Sequence, residues 1–225
     1  MRRACGAAIA VAVVSSVALA VVSSVVLAVP FTPQELTALC AQADGPAHCG
    51  RLVEEVQLKR LPNLATRDGA NLKVQLYPAG VATFTDSESL HGGRSYSLWD
   101  YIDAINSVVI YTLQDDNASF TLLHRPTGRK VEMPGEPRLS PNRQWLVTAD
   151  FCPTNCVNEL ALWRVTREGV RKAYAWRPGA AWDDAVPSWK DADTVIVEYT
   201  PAGKSEARRL ERRVDAADWK PAESP

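Results

Sequence analysis

The chain has 225 residues, with 25 basic and 26 acidic side chains, and 46% of its residues are hydrophobic. This hydrophobic content is ordinary for a globular domain with a core of its own. The balanced charge argues against the strongly basic surface that nucleic-acid binding needs, so we expect no nucleic-acid partner.

The N-terminal segment has the layout of a secretion signal. Arg2 and Arg3 precede an uncharged, mostly apolar run over residues 6–29, and small residues place cleavage near Ala28. We therefore predict a signal peptide over residues 1–28. The run could also span a bilayer, so an uncleaved inner-membrane anchor is the alternative and would be the chain's only membrane contact. Both interpretations place the remaining chain in the periplasm or outside the cell, since the arginines stay on the cytoplasmic side.

Four cysteines follow this segment: Cys40, Cys49, Cys152 and Cys156. An even number of cysteines in an oxidising compartment indicates disulfides. Three pairings are open, and pairing between sequence neighbours is the simplest. A four-cysteine zinc site is the alternative, but it is disfavoured by the spacing and by export. We expect no metal or cofactor.

Residues 31–64 predict a helical hairpin. The segment Thr32-Pro33-Gln34-Glu35 has a capping threonine, a proline that suits the first helical position, and a glutamate three residues after the cap. Two amphipathic stretches follow, with Cys40 and Cys49 on their apolar faces. A disulfide between these cysteines would join the two helices.

From Asn71 onward the pattern predicts short antiparallel strands. Leu72, Val74 and Leu76 alternate with polar residues, and turn signals separate the later apolar runs. The predicted strands cover residues 72–76, 81–84, 96–101, 107–113, 119–123, 145–148, 160–165, 170–176, 194–199 and 206–214. We predict a β-rich domain over residues 71–215 and a flexible tail over residues 216–225.

Two stretches carry a resemblance to a known family. Residues 137–147 read Pro-Arg-Leu-Ser-Pro-Asn-Arg-Gln-Trp-Leu-Val, and residues 159–165 read Glu-Leu-Ala-Leu-Trp-Arg-Val. Together they resemble one blade of a bacterial WD40-like or TolB-like β-propeller, in which a Ser-Pro-Asp-Gly turn precedes the first strand. In this chain Asn142 and Arg143 replace the Asp-Gly pair.

The resemblance implies a mainly β fold made of blade-like units. A polar turn followed by a buried β run recurs at residues 103–111, 139–147 and 191–199, and a fourth unit would lie between residues 72 and 100. Propellers close with about four to eight blades. We therefore expect a propeller-like meander of three to four units that does not close, with the helices covering a sheet face or edge.

Three residues form the candidate binding surface. His91 lies in a Gly-rich loop near several serines, where a Ser–His pair is one option and a plain surface histidine is favoured. Trp176 and Trp182 flank a short loop, where an exposed tryptophan can stack on a sugar or a protein partner. Core packing is the more common role of a tryptophan, and we expect Trp182 to be the exception.

Charged clusters have simpler interpretations. The pairs Asp183–Asp184, Asp100–Asp103 and Asp191–Asp193 could bind Ca²⁺ or act as acid and base, but aspartate is a common turn former and that role is favoured. The arginines within residues 208–213 predict a charged edge strand or helix face.

The sequence contains no Gly-x-Ser-x-Gly element, Gly-rich phosphate loop or His-Glu-x-x-His helix. We therefore expect a non-catalytic binding or scaffolding module whose partner is another envelope protein or a glycan. One alternative is a hydrolase of an envelope polymer that uses His91 and nearby acids. Another is an inhibitor of a foreign hydrolase, with the loop between Cys152 and Cys156 as the inserted segment.

Overall fold

The computed structural model describes residues 31–88, 93–115 and 117–222. Two α-helices, α1 (Pro33–Cys40) and α2 (Pro46–Arg60), precede the strands, and a 3-10 turn lies at Asp103–Ile105. The strands are β1 (Ala65–Asp68), β2 (Asn71–Gln75), β3 (Val81–Thr85), β4 (Arg94–Ile102), β5 (Ser107–Gln114), β6 (Asn117–His124), β7 (Arg129–Met133), β8 (Arg138–Leu139), β9 (Trp145–Asp150), β10 (Glu159–Thr166), β11 (Gly169–Trp176), β12 (Trp182–Trp189), β13 (Thr194–Pro201), β14 (Arg208–Arg213) and β15 (Lys220–Pro221). The predicted signal segment, residues 1–28, lies outside the described residues.

The strands form four antiparallel sheets that follow one another along the chain. Sheet 1 contains β1 to β3, sheet 2 contains β4 to β7, and sheet 4 contains β12 to β14. Sheet 3 contains β8 to β11 and, at its outer edge, β15. The predicted mainly β, antiparallel fold is thus confirmed, and the sheets do not close into a ring.

Three hydrophobic layers hold neighbouring sheets together. In β5, Val108 and Ile110 pack with sheet 1, whereas Val109 and Tyr111 pack with sheet 3. This division follows from the two-residue period of a strand, which sends successive side chains to opposite faces. A third layer joins sheet 3 to sheet 4. Each middle sheet therefore buries both of its faces.

Burial on both faces explains the long apolar runs in the middle of the sequence. The first six residues of β5 are all buried, and so are the first five of β10. In sheet 1, by contrast, burial alternates along β2, because only Leu72 and Val74 face a neighbouring sheet. Continuous apolar strands are typical of sheets covered on both sides.

The N-terminal helices are confirmed. Thr32 and Glu35 form the predicted capping box, with Thr32 N donating to Glu35 at 2.7 Å and Glu35 N donating to Thr32 Oγ1 at 3.2 Å. A disulfide joins Cys40 at the end of α1 to Cys49 in α2. Gly50 allows close contact with the sheet, since a Cβ at this position would lie 2.9 Å from the ring of Tyr111.

Helix α2 covers the free edge of β4. Glu54 accepts a hydrogen bond from Leu98 N at 2.9 Å, and Gln57 Nε2 donates to Trp99 O at 2.8 Å. Both α2 side chains are buried. These bonds satisfy strand groups that no neighbouring strand reaches, which is the protection an exposed edge requires.

The structure adds elements that the sequence patterns did not predict. β7 is a charged edge strand, and β12 combines two aspartates with Pro187, so neither has the composition of a typical strand. Pro187 is tolerated because β12 lies at the edge of sheet 4. The segment predicted as a flexible tail is packed as far as Pro221: Trp219 is buried in the third layer, and β15 pairs with β11.

Candidate functional site

A concavity of about 640 Å³ opens at the outer edge of sheet 3. It is larger than the cavities of about 380 and 160 Å³ found elsewhere among the described residues. We call it the β11 pocket. Its lining is formed by Glu159, Lys172, Ala175, Trp176, Arg177, Asp218, Lys220, Pro221 and Ala222.

Strand pairing positions the lining. The start of β10 lies opposite the end of β11, with Leu160 paired to Trp176, so Glu159 lies beside Arg177. A register shift between Leu162 and Trp163 leaves one extra residue in β11. β15 adds the outer wall, because Lys220 pairs with Ala175.

Glu159 is the buried charge of the pocket, with a side chain only 6% exposed. Lys172 Nζ is in direct contact with one carboxylate oxygen. Arg177 reaches the other oxygen with Nη2 at 3.3 Å and Nε at 3.4 Å. Since a buried carboxylate requires partners, Glu159 holds these two cations at the pocket.

Trp176 belongs to a second cluster behind the pocket. The guanidinium of Arg212 lies 4.0 Å from the ring centre of Trp176 and 5.2 Å from that of Trp219. The side chain of Arg212 is only 9% exposed and contacts the carboxylate of Asp218. A hydrogen bond from Arg212 lowers the pKa of Asp218 below its usual value. Cation–π contacts of this kind hold the C-terminal segment against sheet 4.

The pocket is locally positive. Lys172, Arg177 and Lys220 line it, whereas Glu159 and Asp218 supply the carboxylates among the described lining residues. Three cations thus line it beside two anions, although the chain as a whole has a formal charge of −1. A concave positive site favours a negatively charged ligand.

The two described residues of the predicted binding surface differ in their exposure. Trp176 is half-buried and lines the β11 pocket. Trp182 is 5% exposed, and its ring stacks on Tyr199 with centroids 3.9 Å apart, so the expectation that it is exposed for binding is wrong. Its strand places it in the layer between sheets 3 and 4. His91 lies outside the described residues.

The predicted disulfide residues pair as sequence neighbours. Cys152 and Cys156 are joined in the loop between β9 and β10, as Cys40 and Cys49 are in the helices. Two disulfides indicate an oxidising environment, outside the reducing cytoplasm. Within the described residues, no group of three or more His, Cys, Asp or Glu side chains could hold a metal, and no helix is long and apolar enough to cross a membrane.

A pair of acids lies beneath α1, apart from the pocket. Glu136 accepts a hydrogen bond from Trp99 Nε1 at 2.9 Å and pairs with Arg138 at 2.6 Å. Burial raises the pKa values of both Glu136 and Asp100. The cavity beside them has a volume of only about 10 Å³, which is too small for a polymer segment.

The predicted aspartate pairs differ in their roles. Asp191 accepts a hydrogen bond from Asp193 N at 2.9 Å, which is typical of an aspartate in a turn. Asp183 instead lies in β12, where it accepts a hydrogen bond at 2.9 Å from Gly203 N in the turn after β13.

Sequence reasoning missed the charged residues of the pocket. Glu159 opens the stretch that resembles a propeller blade, which assigns it no binding role, Lys172 and Arg177 belong to no motif, and Asp218 fell within the predicted tail. The one local signal is the acid at position 159, which opens a run of buried apolar residues. Comparison of the chain with protein-family models, with curated proteins and with solved structures finds no match in any of the three.

Proposed function

We propose that this protein is a non-catalytic binding module of the cell envelope and that the β11 pocket is its binding site. The observation that carries the proposal is the combination of half-buried Trp176 with ion-paired Glu159 in one concavity of about 640 Å³. Ligand sites are concave, fall in this range of size, and combine apolar surface with a few fixed polar groups.

The chemistry of the pocket supports binding rather than proton transfer. Both oxygens of Glu159 are engaged by cations, Lys172 on one and Arg177 on the other. A carboxylate whose two oxygens are both engaged orients its partners, whereas a general acid or base needs an oxygen within reach of the substrate. Glu159 therefore acts as a positioning group.

The compartment and the architecture fit this role. The disulfides support a periplasmic or secreted protein, and residues 1–28 would supply the export signal. The stacking of four antiparallel sheets in chain order supports a propeller-like arrangement that stays open. The partner would be another envelope protein or a glycan.

An array of bacterial envelope proteins and glycans tests the proposal with the full purified chain. The Trp176→Ala variant removes the aromatic surface of the pocket. Tyr77→Ala is the matched control, because Tyr77 is 59% exposed and does not line the pocket. We expect binding to at least one component that is lost in Trp176→Ala and kept in Tyr77→Ala. Binding that is equal in both variants, or no binding at all, would refute the proposal.

The disulfide loop supports a second candidate function, inhibition of a foreign hydrolase. The loop is closed by Cys152–Cys156 and is followed by Val157, which is 51% exposed. Rigid loops bind with a smaller loss of conformational entropy than flexible ones. Inhibition assays with lysozymes and secreted proteases test this candidate, and Val157→Asp should abolish any inhibition that the chain shows.

A further inference from the structure

We infer that the β11 pocket selects an acidic oligosaccharide, a short chain of sugars that carry carboxylate groups. The inference rests on the proposed binding function and specifies the ligand of the same site. It follows from three properties of the pocket: the outer edge of β11 is already paired by the C-terminal segment, three cations line the pocket beside two acids, and apolar residues lie next to these charges.

The backbone at the pocket is not free to pair with an added peptide strand. Ala222 N donates to Ala173 O at 2.9 Å, and β15 pairs with Tyr174 and Ala175 along the outer edge of β11. A peptide that binds by strand addition obtains its affinity from main-chain hydrogen bonds at such an edge. Since the C-terminal segment occupies this edge, recognition in the pocket depends on side chains.

Arg177 is the cation best placed to meet a ligand. Its side chain is 65% exposed, and its contacts with Glu159 of 3.3 and 3.4 Å are longer than those of a strong charge-assisted hydrogen bond. The guanidinium therefore keeps donors for an incoming carboxylate. Lys220 is exposed on the opposite wall and adds a second positive charge.

The apolar part of the lining suits the carbon-bound hydrogens of a sugar ring. Trp176 is half-buried, and Pro221 and Ala175 line the pocket with it. An aromatic ring beside fixed polar donors matches a ligand that has one apolar face and polar edges. The positive charge then distinguishes an acidic sugar from a neutral one.

Isothermal titration calorimetry with the full chain tests the inference. The probes are a uronic-acid trisaccharide, a neutral trisaccharide of the same linkage, and a short polyglutamate peptide. We expect the uronic-acid trisaccharide to bind at least tenfold more tightly than either of the others, with a Kd that rises with salt.

Two arginine variants locate the effect. Arg177→Gln should raise the Kd for the uronic-acid trisaccharide about tenfold or more, which corresponds to the loss of one charge-assisted hydrogen bond. Arg171→Gln is the matched control, because Arg171 is an exposed arginine of β11 outside the pocket lining. The Kd of this variant for the uronic-acid trisaccharide should not change.

The outcomes separate the two levels of the proposal. If the neutral trisaccharide or polyglutamate binds as tightly as the uronic-acid trisaccharide, with binding lost in Trp176→Ala, the pocket is a binding site and the inference of an acidic sugar is wrong. An Arg177→Gln variant that binds like Arg171→Gln also overturns the inference. If no probe and no array component shows binding that is lost in Trp176→Ala, the proposed binding function is refuted as well.

Discussion

Glu54 should be one of the most sensitive positions in the fold. Its side chain is 4% exposed and accepts hydrogen bonds from Arg67 at 2.7 and 2.8 Å and from the backbone N–H of Leu98 at 2.9 Å. Arg51 donates a further bond at 3.1 Å. Glu54 thus joins α2 to the edge of β4 and, together with Asp86, balances the half-buried Arg51 and Arg67.

Replacing Glu54 with alanine removes all of these bonds at once. Breaking a buried ion pair costs about 3–5 kcal/mol, and an unsatisfied buried N–H costs about 1–3 kcal/mol. These two effects overlap, and Arg67 is 17% exposed and can recover some hydration, so we expect a loss of about 3–4 kcal/mol in the free energy of unfolding. That is a large share of the roughly 5–15 kcal/mol that stabilises a typical domain.

Urea unfolding of the oxidised chain measures this loss as a lower midpoint with an unchanged slope. Glu55→Ala is the matched control, because Glu55 is the adjacent, exposed glutamate of the same helix and should change stability by no more than about 0.5 kcal/mol. A Glu54→Ala variant within about 0.5 kcal/mol of its Glu55→Ala control would show that the edge of β4 does not need this side chain.

Three further predictions concern the backbone, the disulfides and the buried acids. Gly135→Ala should lower the melting temperature strongly, because a Cβ at this position would clash with the backbone carbonyl oxygen of Ala149. Gly179→Ala is the control, since a Cβ there would meet nothing within 4 Å, and equal melting temperatures of the two variants would contradict the prediction. Replacing both Cys152 and Cys156 with serine should lower the free energy of unfolding by about 2 kcal/mol, the value that the loop-entropy relation gives for so short a loop. A thiol titration of the unreduced native chain should detect none of the four described cysteines. Because burial raises the pKa of Glu136, the folded state binds its proton more tightly than the unfolded state, so the contribution of Glu136 to stability falls as pH rises through the folded pKa. The urea midpoint should therefore fall less between acidic and neutral pH in Glu136→Gln than in the wild type. If the two midpoints change in parallel with pH, Glu136 does not contribute to the pH dependence of stability.

The two tryptophans of the candidate surface show where prediction from sequence ends. Trp176 and Trp182 both flank the same short loop, and each has a local pattern that suits either core or surface. Trp182 is covered because Tyr199 and Phe151 pack against it, while Trp176 stays half-buried at the edge where β15 begins. Both outcomes depend on strands that are distant in sequence, so no local signal distinguishes them.

The sequence by itself determined the features that depend on neighbouring residues. The capping box at Thr32, the cysteines suited to short disulfide loops, and the apolar runs of β5 and β10 each follow from local spacing. Only the tertiary structure decided that α2 covers the free edge of β4 and that the β11 pocket forms. Glu159 meets its cations through strand register, and Asp218 and Lys220 reach the pocket because buried Trp219 anchors the C-terminal segment. Contacts of this kind arise from the packing of whole sheets, which side-chain periodicity within a single strand does not encode.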